Sequence, residues 1–221
     1  MLWDPETDNV SFDIPTPIQQ RITRRSVLET VMKIYDPMGL LSPFMVSSRI
    51  LLRETWELKL AWDQELPVEL VRRWHVFYLN MRDLKNVNYD RCLKPLNTVG
   101  KPILILLSDA SEKAYGYAAY IRWERSDGSV WCRLIMAKTR IALMRRLSIP
   151  QLELNAAVLS KRGRAVIQKE TRFEYDQIYQ LVDSATVLCM LNKISTRFRL
   201  YEGVRIGEIQ AATEGNMTDW H

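Results

Sequence analysis

The chain has 221 residues, of which 47% are hydrophobic and 26% charged. These fractions are typical of a globular protein, exclude a wholly disordered or fibrous chain, and with this length predict one large or two small domains. Lys and Arg number 31 against 26 Asp and Glu, a net charge of +5. No apolar run reaches the roughly 18 residues of a membrane span, and the polar N-terminus is unlike a signal peptide. We therefore expect a soluble, intracellular protein with no membrane partner.

The first part of the chain has the pattern of a small helical unit. Residues 1–20 hold three prolines around a short strand-like piece, which predicts a tether or at most a two-stranded flap. Apolar residues at helical spacing then predict three helices, over residues 22–35, 42–60 and 68–81. Thr23 and Ser26 offer N-cap hydroxyls for the first helix, and residues 36–39 (Asp-Pro-Met-Gly) predict the turn that ends it.

The pattern changes to strands after Gly100. The continuous apolar run Ile103–Leu107 predicts a strand buried on both faces. Residues 116–123 and 130–137 predict an antiparallel hairpin, because the Asp127-Gly128 pair between them is a strong tight-turn signal. A helix from Ser148, a strand over 178–182, and helices over 184–193 and 202–212 complete the order. This order predicts an α/β fold for the second part of the chain.

The sequence contains few cysteine and histidine residues that could support catalysis or metal binding. The three cysteines, Cys92, Cys132 and Cys189, show no Cys-x-x-Cys spacing, which argues against a disulfide framework or a zinc site. We expect them to be small buried residues. The two histidines are His75, expected at the surface, and His221. Any catalytic chemistry must therefore use carboxylates.

Three carboxylates follow the ends of predicted elements. Asp109 lies just past the strand 103–107, Asp183 directly follows the strand 178–182, and Glu153 falls in the first turn of the helix after Pro150. If the two strands are neighbours, all three side chains meet at one sheet edge, where they can bind one or two hard divalent cations. The alternative is structural, since Asp is common in turns and Glu in first helical turns.

Basic residues concentrate in one segment. Between Lys138 and Arg172 nine basic residues face two acidic ones, so this segment carries +7 and the rest of the chain −2. Such a patch suits a polyanion, and the alternative is a solvated helix face. The strongest phosphate-contact candidates precede the helix: Lys138, Arg140, Arg145 and Arg146. Tyr115, close to Asp109 in sequence, is a weaker candidate for a substrate contact.

The seven tryptophans could in principle stack on bases. Trp56, Trp62 and Trp74 lie at helical spacing, which favours positions in a core. Trp123 and Trp131 flank the hairpin turn, so we expect them to pair across the two strands.

Several blocks of sequence together resemble the ribonuclease H domain of BEL/Pao-type LTR retrotransposon polyproteins. These blocks are Ser108-Asp109-Ala110-Ser111, residues 147–154, Val182-Asp183-Ser184, residues 138–142 and residues 204–209. Three more blocks resemble the segment that follows the reverse-transcriptase palm in that family: Trp3-Asp4-Pro5, residues 35–43 and Trp62-Asp63. The resemblance covers nearly the whole chain.

The resemblance implies a five-stranded mixed sheet with flanking helices that cuts RNA in RNA–DNA hybrids with Mg²⁺ or Mn²⁺. It places Asp109, Glu153 and Asp183 in the first three positions of the family's acidic quartet, as metal ligands. The fourth carboxylate of the family lies beyond a strand that would continue past His221, so its role is not carried onto Asp219. Partners implied are nucleic acid and the palm of the parent polyprotein, in the cytoplasm within a virus-like particle.

Two hypotheses remain open from the sequence. In the first, the chain is a polyprotein fragment with a mostly helical connection or thumb-like region (residues 1–97) and a ribonuclease H-like domain truncated before its last acidic motif (98–221), which cleaves hybrids. In the second, it is a catalytically dead remnant that at most binds nucleic acid. The sequence has no palm for a polymerase. It also lacks the Asp-Thr-Gly or Asp-Ser-Gly triplet of an aspartic protease, so the peptidase label sometimes given to the family has no support here.

Overall fold

The structure is a computed structural model that describes residues 1–15, 21–143, 147–212 and 220–221. The chain divides into two compact units, residues 1–92 and 93–221. No helix within the described ranges is long and apolar enough to span a membrane.

The first unit combines three helices with a small sheet. Its helices are α1 (Arg24–Met32), α2 (Ser42–Glu57) and α3 (Val68–Asp83). Its strands are β1 (Leu2–Asp4), β2 (Asn9–Ser11) and β3 (Tyr89–Asp90). They pair antiparallel in the order β1-β2-β3. The predicted two-stranded flap is present as β1 and β2, and a third strand that the sequence did not predict extends it, because Tyr89 pairs with Val10 from a distant part of the chain and no local pattern signals that pairing.

Local hydrogen bonds set the helix ends of this unit. The Ser26 N–H donates to Thr23 Oγ1 (3.2 Å) and the Thr23 N–H donates to Ser26 Oγ (2.9 Å), which confirms the predicted cap of α1. The Asp36 carboxylate accepts hydrogen bonds from the N–H groups of Leu40 and Leu41 and so closes the predicted turn. Helix α2 ends three residues earlier than predicted, and Lys59 just beyond it has a positive φ of 53° that does not continue a helix.

The tryptophans of the first unit do not all enter its core. Trp74 is buried and stacks on Phe77, as expected. Trp56 and Trp62 are 50% and 40% exposed, so their predicted core positions are wrong. Their rings meet edge to face (5.6 Å), and the buried Arg24 guanidinium lies 4.1 Å from the Trp56 ring centroid, which explains why these indoles hold their place while half exposed.

The second unit is a mixed sheet with helices. The strands are β4 (Thr98–Ala110), β5 (Ala114–Arg125), β6 (Val130–Ile141) and β7 (Gln177–Val182), and the helices are α4 (Ile149–Thr171), α5 (Ala185–Leu191) and α6 (Leu200–Ala212). The sheet order is β6-β5-β4-β7, with β4, β5 and β6 antiparallel and β7 parallel to β4. The predicted hairpin is confirmed, including the cross-strand pair Trp123–Trp131.

Two apolar clusters hold this unit together. In one, Leu104 and Leu106 of β4 and Ile121 of β5 pack with Leu159 and Ile167 of α4. The other joins the three helices through residues that include Leu154, Val187, Ile206 and Ile209. Helix α4 is thus fixed on one side against the sheet and on the other against α5 and α6.

Residues 220–221 lie alongside β7. The His221 N–H donates to the Gln180 carbonyl (3.0 Å) and the Val182 N–H donates to the His221 carbonyl (2.9 Å), and Trp220 pairs with Gln180 in the parallel sense. Trp220 is buried in the helical cluster. These two residues therefore extend the sheet on the outer side of β7.

The cysteines are placed differently from the expectation. Cys92, Cys132 and Cys189 are all exposed, so the prediction of buried residues is wrong. Cys132 lies on β6, an outer strand of the sheet, where a small residue need not be covered. His75 is exposed, as predicted.

Candidate active site and nucleic-acid interface

The ends of β4 and β7 bring two of the predicted carboxylates together. The two strands are parallel neighbours, and Ser108 pairs with Val182 at the last position of their register. Asp109 and Asp183 each follow one residue later, so they leave adjacent strands at the same edge, about 5 Å apart along the hydrogen-bonding direction. The condition that the sequence left open, that the two strands are neighbours, is therefore met.

Both aspartate side chains are exposed, and neither forms an ion pair with a basic side chain among the described residues. Among the described residues, only the N–H of Ala110 donates to the Asp109 carboxylate (2.6 Å). Asp183 accepts no hydrogen bond from the described part of the chain and is followed by Ser184, whose hydroxyl accepts from the Val187 N–H and caps α5. Both carboxylates are thus available to an external ligand.

Glu153 lies on α4, the helix that packs on the sheet. The helix starts at Ile149, with the Ser148 N–H bonded to Gln151 Oε1 (3.0 Å), which makes Glu153 its fifth residue rather than part of the first turn. The prediction of a first-turn glutamate is wrong, and the helix dipole acts on it less than expected because that effect fades beyond the first turn.

The carboxylates suit a metal in kind but do not form one compact group. Glu153 is half-buried and has no hydrogen bond or ion pair within the described ranges. Asp109 belongs to the exposed row of β4, whereas α4 packs against the buried row that contains Leu104 and Leu106. Among the described residues, no cluster of three or more His, Cys, Asp or Glu side chains is close enough to hold a metal ion. The donors are hard oxygens, as Mg²⁺ and Mn²⁺ prefer, with two already adjacent.

The described basic candidates lie at the same edge of the sheet. Lys138 and Arg140 are exposed near the end of β6. Lys138 pairs with Tyr117, Tyr117 with Ser108, and Ser108 with Val182. These four residues therefore form one row across all four strands. Arg140 pairs with Tyr115, two residues nearer the edge than Lys138. The predicted candidates Arg145 and Arg146 lie outside the described residues.

Two of the basic residues of α4 are engaged by a carboxylate of α6. Arg162 forms a bidentate ion pair with Glu208 of α6 (2.7 and 2.8 Å), and Lys161 lies 4.0 Å from the same carboxylate. This Arg162 hydrogen bond keeps the pKa of Glu208 below its usual range, so the carboxylate stays charged. This pairing occupies Arg162, whereas the ranking of Lys138 and Arg140 as the stronger phosphate contacts stays a prediction.

Sequence reasoning missed one polar network beside this edge. Arg205 of α6 donates from Nε to Asn155 Oδ1 of α4 (2.5 Å) and from Nη1 to the Tyr201 carbonyl (2.7 Å). Asn155 Nδ2 in turn donates to the Tyr201 hydroxyl (2.9 Å). The residues come from two helices with β7 and α5 between them in the chain, so periodicity within either helix carries no signal of the network.

Comparison with known families gives one match over most of the chain. Residues 23–184 match the family described as the Pao retrotransposon-like RNaseH-like domain. The matched range contains Asp109, Glu153 and Asp183. No curated protein sequence matches the chain.

Solved structures offer remote likenesses. The N-terminal RNase H domain of a Mycobacterium tuberculosis protein, solved as a fusion with maltose-binding protein, is 13% identical, with a TM-score of 0.34 over 54% of this chain and 81% of that chain. RNase H1 from Halobacterium salinarum is 13% identical, with a TM-score of 0.30 over 55% and 82%. The protease–reverse transcriptase of prototype foamy virus is 13% identical, with a TM-score of 0.33 over 93% of this chain and 26% of that chain.

Proposed function

The chain belongs to the Pao retrotransposon-like RNaseH-like domain family, and from this premise we propose that it cleaves the RNA strand of RNA–DNA hybrids in a metal-dependent reaction. The observation that carries the proposal is the in-register parallel pairing of β4 with β7, which sets Asp109 and Asp183 side by side at one sheet edge. A ribonuclease site needs carboxylates at one place, and this pairing supplies the first two.

Each group at the edge has a defined task in this proposal. Asp109 and Asp183 would hold Mg²⁺ or Mn²⁺ from adjacent strands, and Glu153 would add a third carboxylate from α4. A divalent cation in such a site lowers the pKa of a bound water and stabilises the leaving oxygen of a phosphodiester. Lys138 and Arg140, with Arg145 and Arg146 as further candidates, contact the phosphates of the hybrid.

The family also bears on the rest of the chain. We assign residues 98–221 to the ribonuclease H-like domain and residues 1–97 to a connection region whose partner in the parent polyprotein is the reverse-transcriptase palm. The parent element would act in the cytoplasm within a virus-like particle.

A second candidate is a nucleic-acid-binding remnant without catalysis. The observation that favours it is that no three carboxylates form a metal-binding group among the described residues. Such a protein would bind hybrids through the basic residues at the sheet edge, and its binding would weaken with salt.

A substrate panel separates the two candidates. The purified chain is incubated with an RNA–DNA hybrid labelled on either strand, with the same RNA as a single strand, and with duplex DNA, each with Mg²⁺ or with EDTA. If the chain is a hybrid-specific ribonuclease, the RNA strand of the hybrid is cleaved when Mg²⁺ is present and is not cleaved in EDTA. Salt-dependent binding without cleavage under any condition would support the remnant, and equal cleavage of single-stranded RNA would contradict the hybrid substrate.

A further inference from the structure

A cavity of about 540 Å³ lies within the first unit, between α3 and the chain segments at β1 and just after β2. Cavities of roughly 300–1,000 Å³ are the size that holds small organic ligands. The segments at β1 and after β2 contribute four apolar side chains to its lining: Leu2, Phe12, Ile14 and Pro15. Phe12 is buried and its ring meets that of Tyr89 edge to face (6.2 Å), so this part of the lining is held in place by packing.

The helical side of the cavity carries positive charge. Tyr78 and Arg82 line it from one turn apart on α3, and Lys85 lines it from the short turn of 3-10 helix that follows, Leu84–Asn86. Asp13 adds one carboxylate from the opposite segment. Arg82, Lys85 and Asp13 are exposed, and none of the three forms a hydrogen bond or ion pair with another described residue. The cavity therefore has a net charge of +1 that no internal ion pair neutralises.

This combination of an apolar wall and unpaired cations suits an amphipathic anion. An apolar body can bury its surface against Leu2 and Phe12, and an anionic head group can meet the guanidinium of Arg82 and the ammonium of Lys85. A guanidinium binds a carboxylate through two parallel hydrogen bonds, which fixes the orientation of the head group.

The charge of the cavity discriminates between anions. A phosphate monoester carries about −1.5 to −2 at neutral pH, which exceeds the net charge of the cavity and is repelled by Asp13. A carboxylate carries a single negative charge and matches it. The apolar lining also offers few hydrogen-bond partners to a nucleobase or a sugar, so a nucleotide is a poor ligand by both criteria.

We propose that this cavity binds a small carboxylate with an apolar body, whose head group lies between Arg82 and Lys85. Asp13 acts as a selectivity residue that keeps multiply charged anions out at some cost in affinity. The inference goes beyond the proposed function and does not depend on it, because the cavity lies in the first unit and uses none of the carboxylates of the sheet edge.

The first test is a competition experiment on the full chain with 1-anilinonaphthalene-8-sulfonate (ANS), an aromatic monoanion that binds apolar surfaces. ANS is expected to occupy one saturable site per chain. Octanoate and 4-phenylbutyrate displace it, 1-octanol displaces it several-fold less well because it lacks the charge, and AMP does not displace it. Displacement by octanoate alone identifies an aliphatic ligand, and displacement by 4-phenylbutyrate alone identifies an aromatic one.

Charge variants assign the site to the cavity. Arg82→Gln and Lys85→Gln each weaken ANS binding by about two- to fivefold, the range for a charge pair at the surface. Asp13→Asn strengthens it by a similar factor and allows AMP to compete. The matched control is Arg72→Gln, an exposed arginine of α3 that does not line the cavity, and its affinity for ANS is unchanged. These substitutions remove no side-chain hydrogen bond or ion pair among the described residues.

A pair of leucine variants tests the apolar wall. Leu2 and Leu79 are 54% and 57% exposed, and only Leu2 lines the cavity. Leu2→Ser therefore weakens the binding of ANS and octanoate, whereas Leu79→Ser does not, and circular dichroism melts show that both variants fold. The proposal is overturned if the wild-type chain has no saturable ANS site, if Arg82→Gln binds ANS as Arg72→Gln does, or if AMP displaces ANS as well as octanoate does. Equal losses in the two leucine variants overturn it as well.

Discussion

Gly163 of α4 allows the helix to lie directly on the sheet. A Cβ atom there would stand 2.2 Å from Cζ of Tyr117, the β5 residue beside Ser108 in the register. Tyr117 is buried, and burial raises its pKa to about 12, so the phenol stays neutral at physiological pH. The close approach of one helix position to one ring thus fixes the depth of α4 and, through it, the place of Glu153.

Gly163→Ala is expected to destabilise the protein by about 1–3 kcal/mol, because the ring of Tyr117 has no room to move within a packed core. Gly207→Ala in α6 is the matched control, since its Cβ would meet Ser195 at 3.6 Å, an ordinary contact. That variant should be neutral or more stable by up to about 1 kcal/mol, because alanine favours a helix. Urea unfolding of both variants measures the difference, and equal stabilities would contradict the packing described.

Single residues also mark the limits of prediction from this sequence. The periodicity that places Trp74 in a core also favoured Trp56 and Trp62, yet those two rings are half exposed around Arg24. The cysteines were expected inside on composition alone and lie at the surface. Periodicity reports which face a residue occupies, whereas burial depends on what covers that face, and only tertiary structure decides this.

At the scale of elements, the sequence predicted most strands and helices because their signals are local. The apolar run 103–107 identifies β4, and Asp127-Gly128 identifies the hairpin turn. The third strand of the small sheet and the polar network between α4 and α6 depend on residues far apart in the chain, which have no local signature. The position of Glu153 depends on where α4 begins, since with a start at Ile149 it is the fifth residue of the helix and lies beyond the first turn.

The N-terminal cap of α1 is a local feature that contributes measurably to the stability of the protein. Thr23→Ala removes the hydroxyl that accepts from the Ser26 N–H and should cost about 1 kcal/mol of stability. Thr23→Ser retains the acceptor and should cost only a small part of that. Chemical denaturation of the two variants measures the difference, and equal losses would show that the cap contributes nothing.

At the scale of the whole molecule, the second unit brings residues from distant segments to one sheet edge. Asp109, Asp183, Lys138 and Arg140 all lie near that edge because β7 adds to β4 in parallel and β6 runs in the same direction two strands away. The sequence predicted the adjacency of the aspartates only on the condition that their strands were neighbours, and the topology supplies that condition. Their roles as ligands remain predictions, since they depend on a cation and on how Glu153 approaches it.

The most direct measurement is the rate of Mg²⁺-dependent cleavage of a labelled RNA strand in an RNA–DNA hybrid, for the wild-type chain and two aspartate variants. Asp109→Asn removes a proposed ligand with little change in shape, and the rate should fall by about 100-fold or more, equivalent to roughly 2.7 kcal/mol. Asp176→Asn, just before the opposite end of β7, is the matched control and should cleave at the wild-type rate. Cleavage that survives Asp109→Asn would contradict the account.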